Sequence, residues 1–269
     1  PQVGGLRALQ FDGDDDFVTL GDSSSLRITG DMTVSAWVKL GPNTAGRHLG
    51  ILGKMSLRSG HPKGFRLTRD DANKFVFTTG GNATLDVKSP TACTDSEWHH
   101  VVGIFTDGGL SMCVDGAGRS LPFPWPIEMH ESGVAFCVGK EHMEENRDYF
   151  DGWIDEVCLY KRALSDGEIQ AALSGRPSTS DASLVGYWAF EESSGQTVLD
   201  SSSKGNNGYL GGSAGTEGSD PTRVVTGSPN GGGNGGSNGG STDGDYLDVA
   251  GTGALEFDGS NRFASLTHA

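Results

Sequence analysis

Basic residues are in short supply in this chain, with 20 Lys and Arg against 35 Asp and Glu and a formal net charge of -15. Repulsion of that sign at long range excludes a polyanionic partner, so nucleic acid and acidic lipid are set aside. No apolar run approaches the length needed to span a bilayer, which excludes insertion into a membrane as a helix. Pro1 is neither an initiator Met nor part of an apolar leader. Cysteine is confined to Cys93, Cys113, Cys137 and Cys158, without the close C-x-x-C pairing of a zinc site. An even number of cysteines in a secreted protein predicts two disulfides, with three connectivities open; the alternative is buried free thiols in a reducing compartment.

Catalytic signatures are missing as well. There is no Gly-x-Ser-x-Gly elbow, no His-Glu-x-x-His helix and no Gly-rich phosphate loop before a helix. Glycan hydrolysis needs paired carboxylates about 5 to 10 Å apart, and no Glu-x-Asp-x-x-Glu strand supplies them. Glu128, Glu131, Glu141, Glu144 and Glu145 cluster between and beside strands and read as a solvated loop. The expectation is that the chain is not an enzyme.

What is present is a period of two. Met32, Val34, Ala36, Val38 and Leu40 alternate with Thr33, Ser35, Trp37 and Lys39, as in a strand with one face in a core. Further strands are predicted at 8–20, 49–55, 64–68, 74–79, 83–88, 98–105, 109–115, 134–139 and 153–160. Asp107-Gly108-Gly109, Asp115-Gly116 and Gly80-Gly81-Asn82 supply the positive φ of hairpin turns. One short helix is predicted after the last strand, where Ser165 and Glu168 form a capping box before Ile169, Ala172 and Leu173, and Gly175 and Pro177 stop it. The fold class is therefore all-β, an antiparallel β-sandwich. From Gly205 to Gly244 the chain is mostly Gly, Ser, Asn and Asp, a composition that cannot bury enough apolar surface to order itself and reads as linker.

One segment returns. Ala8-Leu9-Gln10-Phe11-Asp12-Gly13 and Phe17-Val18-Thr19-Leu20 are echoed at the same offset by Ala254-Leu255-Glu256-Phe257-Asp258-Gly259 and Phe263-Ala264-Ser265-Leu266. That places an opening hairpin of a second copy at 254–269.

Four motifs, in order, carry a resemblance: Ala8 to Gly13 with Phe17-Val18; Met32-Thr33-Val34-Ser35-Ala36-Trp37-Val38; Trp98-His99-His100-Val101-Val102; and Phe150-Asp151-Gly152-Trp153-Ile154-Asp155-Glu156-Val157 leading to Tyr160-Lys161-Arg162-Ala163-Leu164-Ser165. Together they resemble the concanavalin-like, laminin-G-like jelly-roll family of extracellular proteins. Members commonly open with a strand like Leu184 to Glu191, followed by a segment like Asp200-Ser201-Ser202 to Gly208-Tyr209-Leu210, which here lies after the first domain. The resemblance implies a laminin-G-like domain over 1–175, an opening strand of a second unit plus linker over 176–253, and the second copy's hairpin over 254–269. Because the first domain then lacks its own opening strand, a rival organisation has 184–210 complete a sandwich in cis or by donation to a neighbouring subunit.

Calcium is the expected cofactor. Asp12, Asp14, Asp15 and Asp16 crowd a tight loop, and carboxylates with backbone carbonyls suit that ion. The resemblance implies a structural calcium between the first strand's loop and the final strand, at Asp12, Gly13, Asp14 and Asp155. For a ligand, Trp125 in Pro122-Phe123-Pro124-Trp125-Pro126 is the aromatic candidate, with Arg47, His48 and Arg147 as hydrogen-bonding partners in other loops. His99 and His100 are adjacent in a strand, face opposite sides and read as packing residues. Asn82-Ala83-Thr84 is a glycosylation sequon. The implied function is a non-enzymatic, secreted or cell-surface recognition module for a glycan or matrix surface. A self-assembling structural protein using strand donation by 184–210 is the alternative.

Overall fold

The computed structural model describes residues 7–58, 61–123, 126–141 and 148–226. Contacts divide the chain into Pro1–Gly232 and Gly233–Ala269. The described residues all belong to the first unit; the repeated segment at 254–269 and the candidates Trp125 and Arg147 lie outside the described residues.

Among the described residues alternation builds sixteen strands: β1 Arg7–Asp12, β2 Val18–Gly21, β3 Met32–Leu40, β4 Leu49–Ser56, β5 Lys63–Arg69, β6 Phe75–Gly80, β7 Thr84–Lys88, β8 Trp98–Thr106, β9 Gly109–Val114, β10 Ala117–Pro122, β11 Phe136–Val138, β12 Asp151–Tyr160, β13 Leu184–Trp188, β14 Thr197–Val198, β15 Gly208–Leu210 and β16 Thr222–Val225. They pair antiparallel in two sheets. Sheet A runs β10-β9-β8-β3-β12-β1-β16, with β13 also on β12, and sheet B runs β14-β15-β2-β11-β4-β5-β6-β7. The inward rows of β3, with Val34, Ala36 and Val38, meet Phe65, Leu67, Phe75 and Phe77 of sheet B in one continuous core. The segment predicted as one strand over 8–20 is two strands, broken by the Asp12 to Phe17 turn. The helix α1, Asp166–Ala172, is held by the Ser165–Glu168 capping box, with both reciprocal hydrogen bonds formed.

Residues 184–225, assigned above to a second unit and linker, belong to the sandwich of 1–175. β13 pairs with β12 from Val157↔Trp188 to Tyr160↔Leu184, while β1 pairs with the other half of β12, from Asp12↔Asp151 to Leu9↔Ile154. The two strands thus lie end to end in one lane along β12. β15 pairs with β2, and β16 pairs with β1. Val185, Trp188, Phe190, Val198 and Leu210 enter the common core, because alternating apolar residues in this segment can be buried only against a second sheet. In this chain the opening-strand element closes its own sandwich in cis.

The expected disulfides are not formed. All four cysteines are free and buried. Cys113 on β9 and Cys158 on β12 are separated by β8 and β3, roughly 14 Å at the usual interstrand spacing and far outside disulfide reach. Cys137 belongs to sheet B, bonded through Sγ to the Gly53 and Lys140 carbonyls, and Cys93 packs at the edge of the core.

The outer face of sheet A is also covered around β3, β8 and β12. Thr33, Ser35 and Trp37 are all buried. Val102, Ile104 and Cys113 pack beneath Ile169 of α1, and Cys158 and Tyr160 pack with Leu184, Tyr187 and Ala189. One-faced burial of β3, expected from its alternation, gives way to burial on both faces.

Candidate functional site

The acidic turn between β1 and β2 is organised by its own carboxylates. Asp12 Oδ1 accepts the N–H groups of Asp14 at 2.9 Å and Asp15 at 3.3 Å, and Asp16 Oδ2 accepts the N–H of Asp12 at 3.0 Å. Gly13 takes φ +78°, and a Cβ there would strike the Asp151 side chain, so both conformation and space require glycine. Oxygens of Asp12, Asp15 and Asp16 lie within 4.8 Å of one another. Burial, and then the charge of Asp12, push the Asp16 carboxyl up to about 6. Asp220 adds to that repulsion, and its Oδ1 is buried without a hydrogen-bond partner. Crowded carboxylates with a spare buried oxygen suit a hard divalent cation.

Asp155 stands apart from this turn. The residue opposite Asp12 is Asp151, four positions earlier on β12, so Asp155 is displaced by roughly 13 Å along the strand at the usual rise per residue. It faces Trp37 instead. Asp14 remains in the turn but is exposed.

Two of the predicted ligand residues converge on the same rim. Arg47 Nη1 donates to Asp151 Oδ2 at 2.7 Å and Nη2 donates to the Gly13 carbonyl at 3.1 Å. His48 Nε2 lies 3.2 Å from Glu141 Oε2, which also accepts Arg66 Nη1 at 2.9 Å. The hydrogen bond to Glu141 raises the His48 pKa. Glu141, read above as part of a solvated loop, is only 2% exposed, because the Arg66 guanidinium and the His48 ring satisfy it. Its backbone lies against β4 at Gly50 and Gly53, where any Cβ would collide with it.

From there a row crosses the outer face of sheet B. Tyr209, Thr19, Cys137, Gly53, Arg66, Thr78 and Asp86 are successive cross-strand partners. Inward neighbours Phe65, Leu67 and Phe77 fill the core, so this row points outward. Arg66 Nε and Thr78 Oγ1 lack partners, while Tyr209 is 42% exposed at the far end. The face therefore offers the exposed Tyr209 ring and the half-buried Arg66 guanidinium and His48 imidazole fixed on one carboxylate, while Thr78 and Cys137 in the same row are buried.

A family model matches residues 12–170, well over half of the chain. The chain belongs to the concanavalin A-like lectin/glucanases superfamily. Among solved structures, this superfamily member is similar to a protein from Bacteroides ovatus ATCC 8483 whose carbohydrate binding is itself a proposal, with TM-score 0.63 and 15% identity. That match covers 83% of this chain and 60% of the other, so the chain spans less than two thirds of that protein. The enzymatically active domain of bacteriophage CBA120 tailspike protein 2 matches at TM-score 0.48 and 12% identity, over 69% of this chain and 34% of that one. Domains LG4-5 of the mouse laminin alpha1 chain match at 0.46 and 15%, over 59% and 43%. At these identities the likeness is one of fold. No curated protein sequence matches the chain.

Sequence reasoning missed a second feature of this superfamily member, on the outer face of sheet A. Asp155, Trp37 and His100 are cross-strand partners in a row, and Trp37 and His100 stack with ring centroids 5.2 Å apart. A cavity of about 270 Å³ is lined by Trp37, His100, Glu156, Cys158, Tyr160 and Arg176, among others. Glu156 Oε2 accepts the Tyr187 hydroxyl at 2.5 Å and Oε1 accepts Arg176 Nε at 3.1 Å. Burial raises Asp155 well above the usual carboxylate range and lowers His100 to about 4, which leaves the imidazole neutral at pH 7. The signal was the Asp155-Glu156 pair. A β-bulge with Glu156 at φ +51° turns both residues out of the core, and a period of two cannot foresee it.

The glycosylation candidate Asn82 is exposed in the β6–β7 turn, where its Oδ1 accepts the Glu128 N–H at 3.3 Å.

Proposed function

We propose that this chain is a non-enzymatic, extracellular carbohydrate-binding module whose ligand lies on the outer face of sheet B, beside a calcium ion held by the β1–β2 turn. The carrying observation is Glu141, which holds the Arg66 guanidinium and the His48 imidazole on one carboxylate oxygen. Planar groups fixed in this way are suited to pairs of sugar hydroxyls, and the exposed Tyr209 ring is suited to the apolar face of a pyranose. The net charge of -15 favours a neutral glycan over a sulfated or sialylated one.

Asp12, Asp15 and Asp16 would hold the calcium, with Asp220 close by. The ion would neutralise their mutual repulsion and brace Gly13, whose carbonyl positions Arg47. Binding rather than turnover is supported by the lack of a Glu-x-Asp-x-x-Glu strand in the sequence that would pair carboxylates for acid–base work. The buried Asp155 is shut off from solvent.

A glycan array with the 269-residue chain in calcium is the test. Binding to neutral glycans that falls at least tenfold in Arg66→Ala and Tyr209→Ala, with melting temperatures kept, is expected. An array empty of neutral glycans, or hydrolysis of bound glycan, would overturn the reading.

A further inference from the structure

The loop between β7 and β8 brings three different donor atoms together. Cys93 Sγ, an Asp95 carboxylate oxygen and a His99 ring nitrogen lie within 4.8 Å of one another. We propose that Cys93, Asp95 and His99 bind a zinc-class divalent cation, separate from the acidic turn and from the outer face of sheet B.

Three features make this a built arrangement. First, His99 is oriented from behind: its Nδ1 lies 2.7 Å from Asp115 Oδ2, while Asp115 Oδ1 accepts the His100 N–H at 2.9 Å. A carboxylate on Nδ1 fixes the ring and leaves Nε2 for a metal, which is how zinc-binding histidines are held. Second, the cysteine is anchored through its backbone. The Cys93 N–H donates to the Asn73 carbonyl at 2.7 Å, and its carbonyl accepts Nε of the buried Arg69 at 3.1 Å. Third, the donors border open space. Cys93 is 7% exposed, whereas the Asp95 side chain is 57% exposed, and a cavity of about 330 Å³ bordered by Pro90, Thr91, Ala92 and Ala117 adjoins them.

Donor chemistry sets the class of ion. A thiolate, an imidazole and a carboxylate suit zinc, whereas calcium and magnesium take oxygen ligands. Three protein ligands leave the fourth tetrahedral position to water.

Entry of the ion requires a small opening. His99 Nε2 now sits 2.8 Å from Asp95 Oδ1, whereas donors around a tetrahedral zinc stand roughly 3.4 Å apart. The exposed Asp95 side chain can swing by that amount. As the metal–sulfur bond forms the Cys93 thiol proton leaves to solvent, and His99 Nε2 gives up its contact with Asp95 for the metal. The Asp95 carboxylate exchanges the His99 ring for the metal.

Cobalt(II) titration of the reduced full-length chain, at pH 7.5 in excess calcium, tests this. One equivalent of cobalt, with a thiolate-to-metal charge-transfer band that zinc displaces, is expected. Cys93→Ser should abolish the band, and Asp115→Asn should weaken binding about 10- to 100-fold by freeing the ring. Should Cys93→Ser not fold, protection of Cys93 from alkylation by one equivalent of zinc in the unaltered chain gives the same information. A chain without the band at saturating cobalt, a band that survives Cys93→Ser, or Cys93 alkylated equally fast with and without zinc would overturn the site.

Discussion

Trp188 meets Phe136 edge to face, with ring centroids 5.6 Å apart, and through that contact a strand near the end of sheet A is pinned to the centre of sheet B. Phe136 in turn packs on Phe65 at 5.6 Å, and Trp188 Nε1 donates to the Asn206 carbonyl at 2.9 Å. The indole is fully buried with its one polar atom satisfied. The tail after α1 is therefore part of the hydrophobic core.

Trp188→Ala should cost about 3–5 kcal/mol, the range for removing a buried aromatic. Urea denaturation followed by circular dichroism measures it. A loss below about 1 kcal/mol would mean that the tail strands are dispensable.

Asp155 gives a pH dependence with a definite sign. Its carboxyl is raised in the folded chain by burial and by the Glu156 charge, so the folded state keeps a proton that the unfolded state loses near the ordinary carboxylate value. Stability from this group is present below pH 3.8 and is lost as pH rises. Asp155→Asn should leave the melting temperature at pH 3.5 unchanged and raise it at pH 8 by at least about 2–4 °C. Equal melting temperatures of the two proteins at pH 8 would contradict the assignment.

Calcium should stabilise the chain through the acidic turn. At 100 times its dissociation constant the ion contributes about 2.7 kcal/mol. Asp16→Asn should remove that calcium response, and by relieving repulsion it should raise the calcium-free melting temperature at neutral pH. Scanning calorimetry with calcium and with chelator reads both effects, and identical traces for the unaltered chain would exclude the ion.

Free thiols can be counted directly. Unfolded without reductant, the chain should release four titratable thiols, Cys93, Cys113, Cys137 and Cys158. Two or fewer would indicate a disulfide.

Much of this architecture could be read from local pattern. The alternation of Met32 to Leu40 and the Ser165–Glu168 box are local signals, and both elements formed where they pointed. The turn holding Asp12 to Asp16 was visible because glycine and clustered aspartates mark it. Contacts decided across the fold were not legible. Leu184 to Glu191 carry strand signals but nothing that says which sandwich they enter, and within the segment read as linker β15 and β16 pair with β2 and β1. Glu141 looked solvated because Arg66 and His48, its partners, lie 75 and 93 residues away. His99 was read as packing, although Asp95 and Asp115 reach its two ring nitrogens from either side. The disulfides were expected from parity alone, which carries no information about which strands separate the thiols.

The lane shared by β1 and β13 along β12 also bears on how the chain is made. A ribosome releases Phe136 and the bulged β12 well before Leu184 to Leu210 emerge. Until then the slot for Trp188 is bare, and the nascent sandwich exposes oily surface at its centre. Closure is therefore a late event in synthesis, and it falls in the interval when a chaperone or a neighbouring nascent chain could occupy that slot first.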